Sequence, residues 1–241
     1  MCKMIFFDID NTLINHSQAF EKAVYELYFH FERWTDLDCE LFLKKWKLIA
    51  ERYFEDFLKN KISFEDRLYM IVNNLFSQVR SKNLLNDMVE YYLEVYEKNW
   101  EIYPDVEECL ESLKRERLGI ISNGSFEQQE KKLDKCDIKK YFETIIVSEK
   151  YKVAKPDYRI FKIACNETKS CINENIYIGN NFEHDIIPFI ELGGKGVWIN
   201  RHENKYIIKE RYCQVSSLKE INNLKKSNFG VDGVSTIIAN R

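Results

Sequence analysis

Glycine and proline are scarce: 8 and 3 of them in 241 residues. That leaves no room for a flexible linker, a low-complexity segment or a collagen-like repeat. There is no CxxC pair either. The seven cysteines (Cys2, Cys39, Cys109, Cys136, Cys165, Cys171 and Cys213) are odd in number and scattered, which fits reduced thiols rather than a disulfide framework. No apolar run approaches the ~20 residues that a membrane helix needs. The opening Met1–Phe7 is too short for a signal peptide and runs straight into Asp8-Ile9-Asp10. The expected setting is therefore cytoplasmic, with no membrane partner. The formal net charge is −3, and no basic stripe stands out, which argues against a nucleic acid polymer as partner. Monomer and small homo-oligomer both remain open.

What the chain does contain falls into two textures. A hydrophobic fraction of 45% with 31% charged residues is ordinary for a globular protein, and the length suits a main domain plus a smaller one. From about Asn15 to Trp100 the sequence is charged and aromatic, with neither glycine nor proline. Its apolar residues fall at helical spacing: Phe20, Val24, Leu27, Phe31, then Leu41, Trp46, Ile49, Tyr53, Phe57. Further helices are expected over about 64–76 and 84–98, making a four-helix bundle over 15–100. The aromatic stripe Tyr25, Tyr28, Phe29, Phe31, Trp34 reads as bundle core.

Outside that block, short apolar runs alternate with helices. Strands are expected at 3–7, 118–121, 144–147, 175–178 and 196–199. Helices are expected at about 105–117, 126–136, 157–167 and 186–192, with Pro104 in the first turn of the helix at 105. Alternation of this kind implies parallel pairing and right-handed crossovers. The fold class is thus α/β: a doubly wound parallel-sheet, Rossmann-like core over 1–14 and 101–241, with the helical bundle inserted. The first strand is expected at the centre of the sheet. The stretch from Gln214 is less regular, and 228–241 has no assignment.

In such sheets ligands bind beyond the carboxyl ends of the strands, so the residues that follow each apolar run matter most. They are Asp8-Ile9-Asp10-Asn11-Thr12, then Ser122-Asn123-Gly124, then Lys155 before Pro156-Asp157, then Gly179-Asn180 through Asp185. Two aspartates leaving a buried strand need a partner, and a hard cation such as Mg²⁺ is a natural one. A carboxylate can also attack phosphorus, while its neighbour moves protons. Ser122 and the backbone amides of Asn123 and Gly124 could hold phosphate oxygens, and Lys155 could neutralise developing charge. Each feature alone has a bland reading: a strand end, a turn, a surface lysine. Four together at strand ends are far more specific.

In this order the four motifs resemble those of the haloacid dehalogenase superfamily, over about residues 3–200. The match is to its DxDxT opening (Asp8, Asp10, Thr12), its hydroxyl motif (Ser122), its lysine motif (Lys155) and its fourth motif ending at Asp185. The insert resembles the superfamily's type-one helical cap, which selects small substrates. The resemblance implies Asp8 as nucleophile and metal ligand, and Asp10 as acid/base with its backbone carbonyl on the metal. It implies Thr12 as support for the turn, and Ser122 and Lys155 as ligands of the transferring phosphoryl group. Mg²⁺ is the implied cofactor, held by Asp8, Asp10, Asn180 and Asp185.

Haloacid dehalogenases themselves lack a carboxylate at the Asp10 place, so phosphoryl transfer is implied. The expected reaction is hydrolysis of a small phosphorylated metabolite, a nucleotide or sugar phosphate, through an aspartyl-phosphate. A phosphomutase and a weakly active phosphate-binding protein are the alternatives. The latter arises because Asn180 stands where the family usually carries a metal-binding aspartate. His184 beside Asp185 reads as a satisfied polar residue. Asn15 and His16 are the insert residues expected to approach substrate.

Overall fold

The structure is a computed structural model that describes residues 3–203 and 205–221. Cys2 and the unassigned stretch 228–241 lie outside the described residues. In chain order the elements are β1 (Met4–Phe7), α1 (His16–Phe31), α2 (Cys39–Leu58), α3 (Phe64–Leu75), α4 (Lys82–Lys98) and α5 (Val106–Ser112). Next come β2 (Arg117–Ser122), α6 (Phe126–Lys135), β3 (Thr144–Val147), α7 (Ser148–Tyr151), α8 (Tyr158–Glu167) and β4 (Ile176–Gly179). The last are α9 (Ile187–Glu191), β5 (Lys195–Ile199), β6 (Ile207–Ile208) and β7 (Tyr212–Val215). The chain divides into two compact units that part at Ile14/Asn15 and again at Glu101/Ile102.

The first unit holds one sheet of order β3-β2-β1-β4-β5-β7-β6. Every pairing is parallel except β6 with β7. The apolar run Met4-Ile5-Phe6-Phe7 is buried throughout, as a strand covered on both faces must be. It sits between β2 and β4, so the strand that opens the chain lies inside the sheet. Five strands are expected, and among the described residues the sheet has seven. The two extra ones, β6 and β7, are short and follow a polar segment without clear alternation, so periodicity does not reveal them.

Other boundaries shift for local reasons. The helix expected over 105–117 stops at Ser112, and the backbone turns through 113–116 before β2. Pro104 lies in a turn before the N-cap Asp105 instead of inside the helix. Before α9 the chain makes one π-helical turn at Phe182–Ile186, a feature common at functional sites.

Three segments of this unit are tied by Asp105 and Arg201. The guanidinium donates to both Asp105 carboxylate oxygens, at 2.8 and 3.1 Å, and to the Thr12 carbonyl at 2.8 Å. It also lies 3.7 Å from the Tyr103 ring centroid. Ser217 Oγ and the Leu218 amide donate to the same carboxylate. The turn after β1 is thereby anchored to the segments after β5 and β7.

The second unit, Asn15–Glu101, is built from α1–α4. Asp38, Ser63 and Ser81 cap α2, α3 and α4 by accepting from the amide three residues on, the usual way such side chains satisfy first-turn donors. Its core differs from expectation. The buried side of α1 is Ala19, Ala23, Val24 and Leu27, while Tyr25 and Phe29 are exposed; of the expected stripe, none is fully buried. Small residues at 19 and 23 let a neighbouring helix approach, and the large rings come from Phe42, Trp46, Tyr92 and Tyr96. On α2 it is Phe42, not Leu41, that faces inward.

Candidate active site

Parallel pairing brings the carboxyl ends of β1, β2 and β4 to one edge. The Asp8 amide continues the ladder, donating to the Ile178 carbonyl at 2.9 Å. The chain then turns sharply: the Ile9 carbonyl accepts from the amides of Thr12, Leu13 and Ile14. Asn11 sits in the left-handed region at φ 60°, a conformation asparagine tolerates better than most residues.

Lys155 is the centre of the site. Its Nζ donates to Asp8 Oδ1 at 2.7 Å and to Asp185 Oδ1 at 2.7 Å, and to Tyr177 Oη at 2.9 Å. All four residues are buried. Tyr177 passes its own hydrogen to the Ile121 carbonyl at 2.6 Å. The backbone of Lys155 is held as well: its amide donates to Asn123 Oδ1 and its carbonyl accepts from Asn123 Nδ2, at 2.8 and 3.0 Å. Lys155, a surface lysine on its bland reading, is thus gripped at both ends.

Ser122 Oγ lies 3.2 Å from Asp8 Oδ1, so the hydroxyl and the ammonium flank one carboxylate oxygen. The other, Oδ2, lies 3.5 Å from Thr12 Oγ1, which is 3.3 Å from Asn180 Oδ1. Asp185 Oδ2 accepts from the Asn181 amide at 2.9 Å. Burial pushes the Asp8 carboxyl up to about 6; Lys155 opposes this, and the negative charge of Asp185 adds to it. Burial works against the Lys155 ammonium, but Asp185 and Asp8 outweigh it and hold its pKa above the usual value. Burial, with Asp185 and Asp8 close by, keeps the Tyr177 phenol well above its ordinary range.

Asp8, Ser122, Lys155 and Asp185 are therefore joined by direct hydrogen bonds, with Asn180 reached through Thr12. Asp10 is bound by α6: Lys132 Nζ donates to its Oδ1 at 2.7 Å and Gln129 Nε2 to its Oδ2 at 2.9 Å. One expected contribution differs. The Gly124 amide, expected to hold phosphate, donates to Ser148 Oγ at 3.0 Å, because Gly124 turns at φ 140° toward α7. The Asn123 side chain binds the Lys155 backbone. The His184 amide closes the turn onto Asn181 Oδ1. In the second unit Asn15 caps α1, and His16 Nδ1 lies 2.6 Å from Tyr96 Oη.

Three site residues were not picked out from the sequence: Tyr177, Gln129 and Lys132. Tyr177 is hidden in an apolar strand. The other two read in the sequence as part of a polar, solvated helix; only the structure shows that the buried side of α6 is Gln129, Lys132 and Leu133. Polar residues on the inward stripe of a helix are unusual and here mark the site.

The model of the family described as haloacid dehalogenase-like hydrolase matches residues 5–193. The chain belongs to that family. Glyceraldehyde 3-phosphate phosphatase of Methanocaldococcus jannaschii is 27% identical to it, over 94% of this chain and 100% of that protein. Human N-acylneuraminate-9-phosphatase is 23% identical over 83% of each. Sequence relatives of this kind place this hydrolase on the family's phosphatase branch. Among solved structures, the HAD-hydrolase YfnB from Bacillus subtilis, bound to magnesium, shares the fold with a TM-score of 0.72. That likeness comes at 18% identity and covers 92% of this chain and 98% of that one.

Proposed function

We propose that this family member is a Mg²⁺-dependent phosphomonoester hydrolase that forms an aspartyl-phosphate on Asp8. The observation that carries the reading is the placement of one Asp8 oxygen between an ammonium and a hydroxyl. Oδ1 lies 2.7 Å from Lys155 Nζ and 3.2 Å from Ser122 Oγ, the two groups that would grip the oxygens of a phosphoryl group beside it. That oxygen is the nucleophile. It bonds to phosphorus as the ester P–O bond breaks, and Asp10 gives a proton to the departing oxygen. Asp10 then takes a proton from water as the water oxygen attacks phosphorus, returning free Asp8 and inorganic phosphate. Lys155 and Ser122 stabilise the charge that gathers on the phosphoryl oxygens.

The donor set suits a hard cation. Asp8 Oδ2 and Asn180 Oδ1 both lie close to one hydroxyl, Thr12 Oγ1, so two oxygens converge there. Asp8 and Asp185 share a single ammonium, which leaves one net negative charge buried. Among the described residues no group of three or more His, Cys, Asp or Glu side chains is arranged for a metal ion. The ligand set proposed is two carboxylates, Asp8 and Asp185, completed by the Asn180 amide oxygen and the Asp10 carbonyl, the kind in which Mg²⁺ keeps several waters. Bound there, Mg²⁺ would neutralise phosphate charge and orient the substrate.

The substrate class proposed is a small phosphorylated carbohydrate, with glyceraldehyde 3-phosphate and N-acylneuraminate 9-phosphate as first compounds to assay because two relatives are named for them. Phosphate release from these and from a panel of about a hundred phosphorylated metabolites, with and without Mg²⁺, tests the reading. Mg²⁺-dependent release from at least one supports it. Phosphate binding without turnover would mean a phosphate-binding protein instead.

A further inference from the structure

The α6 helix turns polar side chains into the interior. Lys132 is 1% exposed, yet its Nζ ends 2.7 Å from Asp10 Oδ1; Gln129, three residues earlier, puts Nε2 2.9 Å from Asp10 Oδ2. Long lysine side chains ordinarily keep the ammonium in water while the stem packs on apolar surface. Here the reverse holds, and the more exposed partner is the carboxylate, whose side chain is 27% accessible.

Gln129 Nε2 also lies 3.2 Å from Ser122 Oγ and 3.1 Å from the Asn123 carbonyl. Its two hydrogens face three oxygen neighbours, and its own carbonyl oxygen is buried with no partner among the described residues. The amide is thus oriented by what it donates to, at the expense of its acceptor. One helix thereby fixes the distance between the Asp10 carboxylate and the Ser122 hydroxyl.

We propose that Lys132, assisted by Gln129, is a positioning residue for the acid–base carboxylate of Asp10. The inference rests on the phosphatase reading above. Lys132 need not touch substrate. Donors on both oxygens set the plane of the carboxylate, and a carboxylate oxygen can accept more than one hydrogen bond, so an anchored Asp10 can still exchange a proton with the leaving oxygen or with water. A carboxylate near the rim without such anchors would sample several rotamers, and proton transfer needs heavy atoms within hydrogen-bond reach.

The test separates this role from a merely structural one by the leaving group. An alkyl phosphate needs a proton on its departing oxygen, whereas p-nitrophenolate departs without one. In Lys132→Met, of similar length but uncharged, kcat/KM, which reports the steps up to departure of the leaving group, should fall by about 10²-fold on an alkyl phosphate, the lower end of what positioned acid–base catalysis contributes, with p-nitrophenyl phosphate losing about threefold or less; kcat, which includes attack of water on the shared aspartyl-phosphate, should fall on both. Lys132→Arg should restore most of the alkyl-ester kcat/KM. Asp10→Asn should show the same selectivity, more strongly. An equal fall in kcat/KM on both esters, or no selective loss of the alkyl ester, would overturn the inference while leaving an active parent enzyme. An inactive parent would overturn the phosphatase reading and this inference with it. If Lys132→Met does not fold, Lys132→Gln gives the same comparison.

Discussion

The Asp185 carboxylate occupies the place that a side chain on Gly179 would need: a Cβ built there would stand 2.4 Å from Asp185 Oδ2. No real contact is that short, so the glycine at the end of β4 is what lets the carboxylate fold back toward Lys155. Gly179→Ala should therefore displace Asp185. Overpacking of this kind costs about 1–3 kcal/mol, visible as a lowered urea midpoint. Phosphate release should fall at least tenfold, since the displaced carboxylate also carries Lys155 with it; an alanine variant of parental stability and rate would rule out this role for Gly179.

Asp8→Asn should abolish turnover and leave the fold intact. An amide is no nucleophile, but it is nearly isosteric, and it removes a buried charge whose carboxyl burial holds up at about 6. Ionised Asp8 thus opposes folding at neutral pH, and urea unfolding of the asparagine variant should show equal or greater stability. Lys155→Met should do the opposite. Removing one member of a buried ion group typically costs about 3–5 kcal/mol, and here two carboxylates lose their shared cation. Normal turnover in Asp8→Asn would refute the covalent mechanism.

The Asn180→Asp variant should tighten Mg²⁺ binding. A surplus of only ~1.4 kcal/mol from the added charge is a tenfold change in affinity. The Mg²⁺ concentration for half-maximal rate should fall by about that factor, with little change at saturating metal. Asp185→Asn should raise it sharply. Titration of Mg²⁺ against initial rate for the three proteins decides the matter; an unchanged requirement in both variants would move the metal away from this edge of the sheet.

Acid should loosen the Asp105 node. Burial alone would raise this carboxyl, but hydrogen bonds from Arg201 and Ser217 prevail and hold it below the ordinary aspartate value. A depressed folded pKa contributes stability that is complete above the unfolded value, and is lost as pH falls through the folded one. Asp105→Asn should therefore lower the urea midpoint at pH 7, with the gap from wild type narrowing below about pH 4, near the unfolded aspartate value. A gap independent of pH would mean that the charge of Asp105 contributes nothing.

The helical unit should be removable. The chain leaves at Asn15 and returns at Glu101, whose carbonyl accepts from the Asn15 amide at 2.9 Å, while Ile14 and Ile102 form a β-bridge. Replacing 15–101 by a short glycine-serine linker should give a folded α/β protein, checked by circular dichroism and cooperative unfolding. Its ranking of substrates should flatten, because contacts to the phosphate alone would remain. A truncated protein with the parent's ranking would show that specificity resides in the α/β unit.

Much of this molecule is written in short-range pattern. Runs such as Met4–Phe7 and Thr144–Val147 are apolar enough to be strands buried on both faces, and their alternation with helices dictates a parallel sheet. The polar residues after those runs then had to gather at one edge, which is why Asp8, Ser122, Lys155 and Asp185 were legible without coordinates. What periodicity could not reveal depends on contacts between residues far apart in the chain. Tyr177 looks like any aromatic in a strand until its hydroxyl is seen between Lys155 and the Ile121 carbonyl. The Gly124 amide faces a phosphate or Ser148 according to how α7 packs. Lys132 and Gln129 sit in a helix whose polarity suggests a solvated surface, and only the seating of α6 beside the turn after β1 makes them interior. Local sequence sets backbone preference and the pattern of burial, because both arise within a few residues. The pairing of each buried polar atom is decided by the whole packed fold, because its partner lies in some cases more than a hundred positions away.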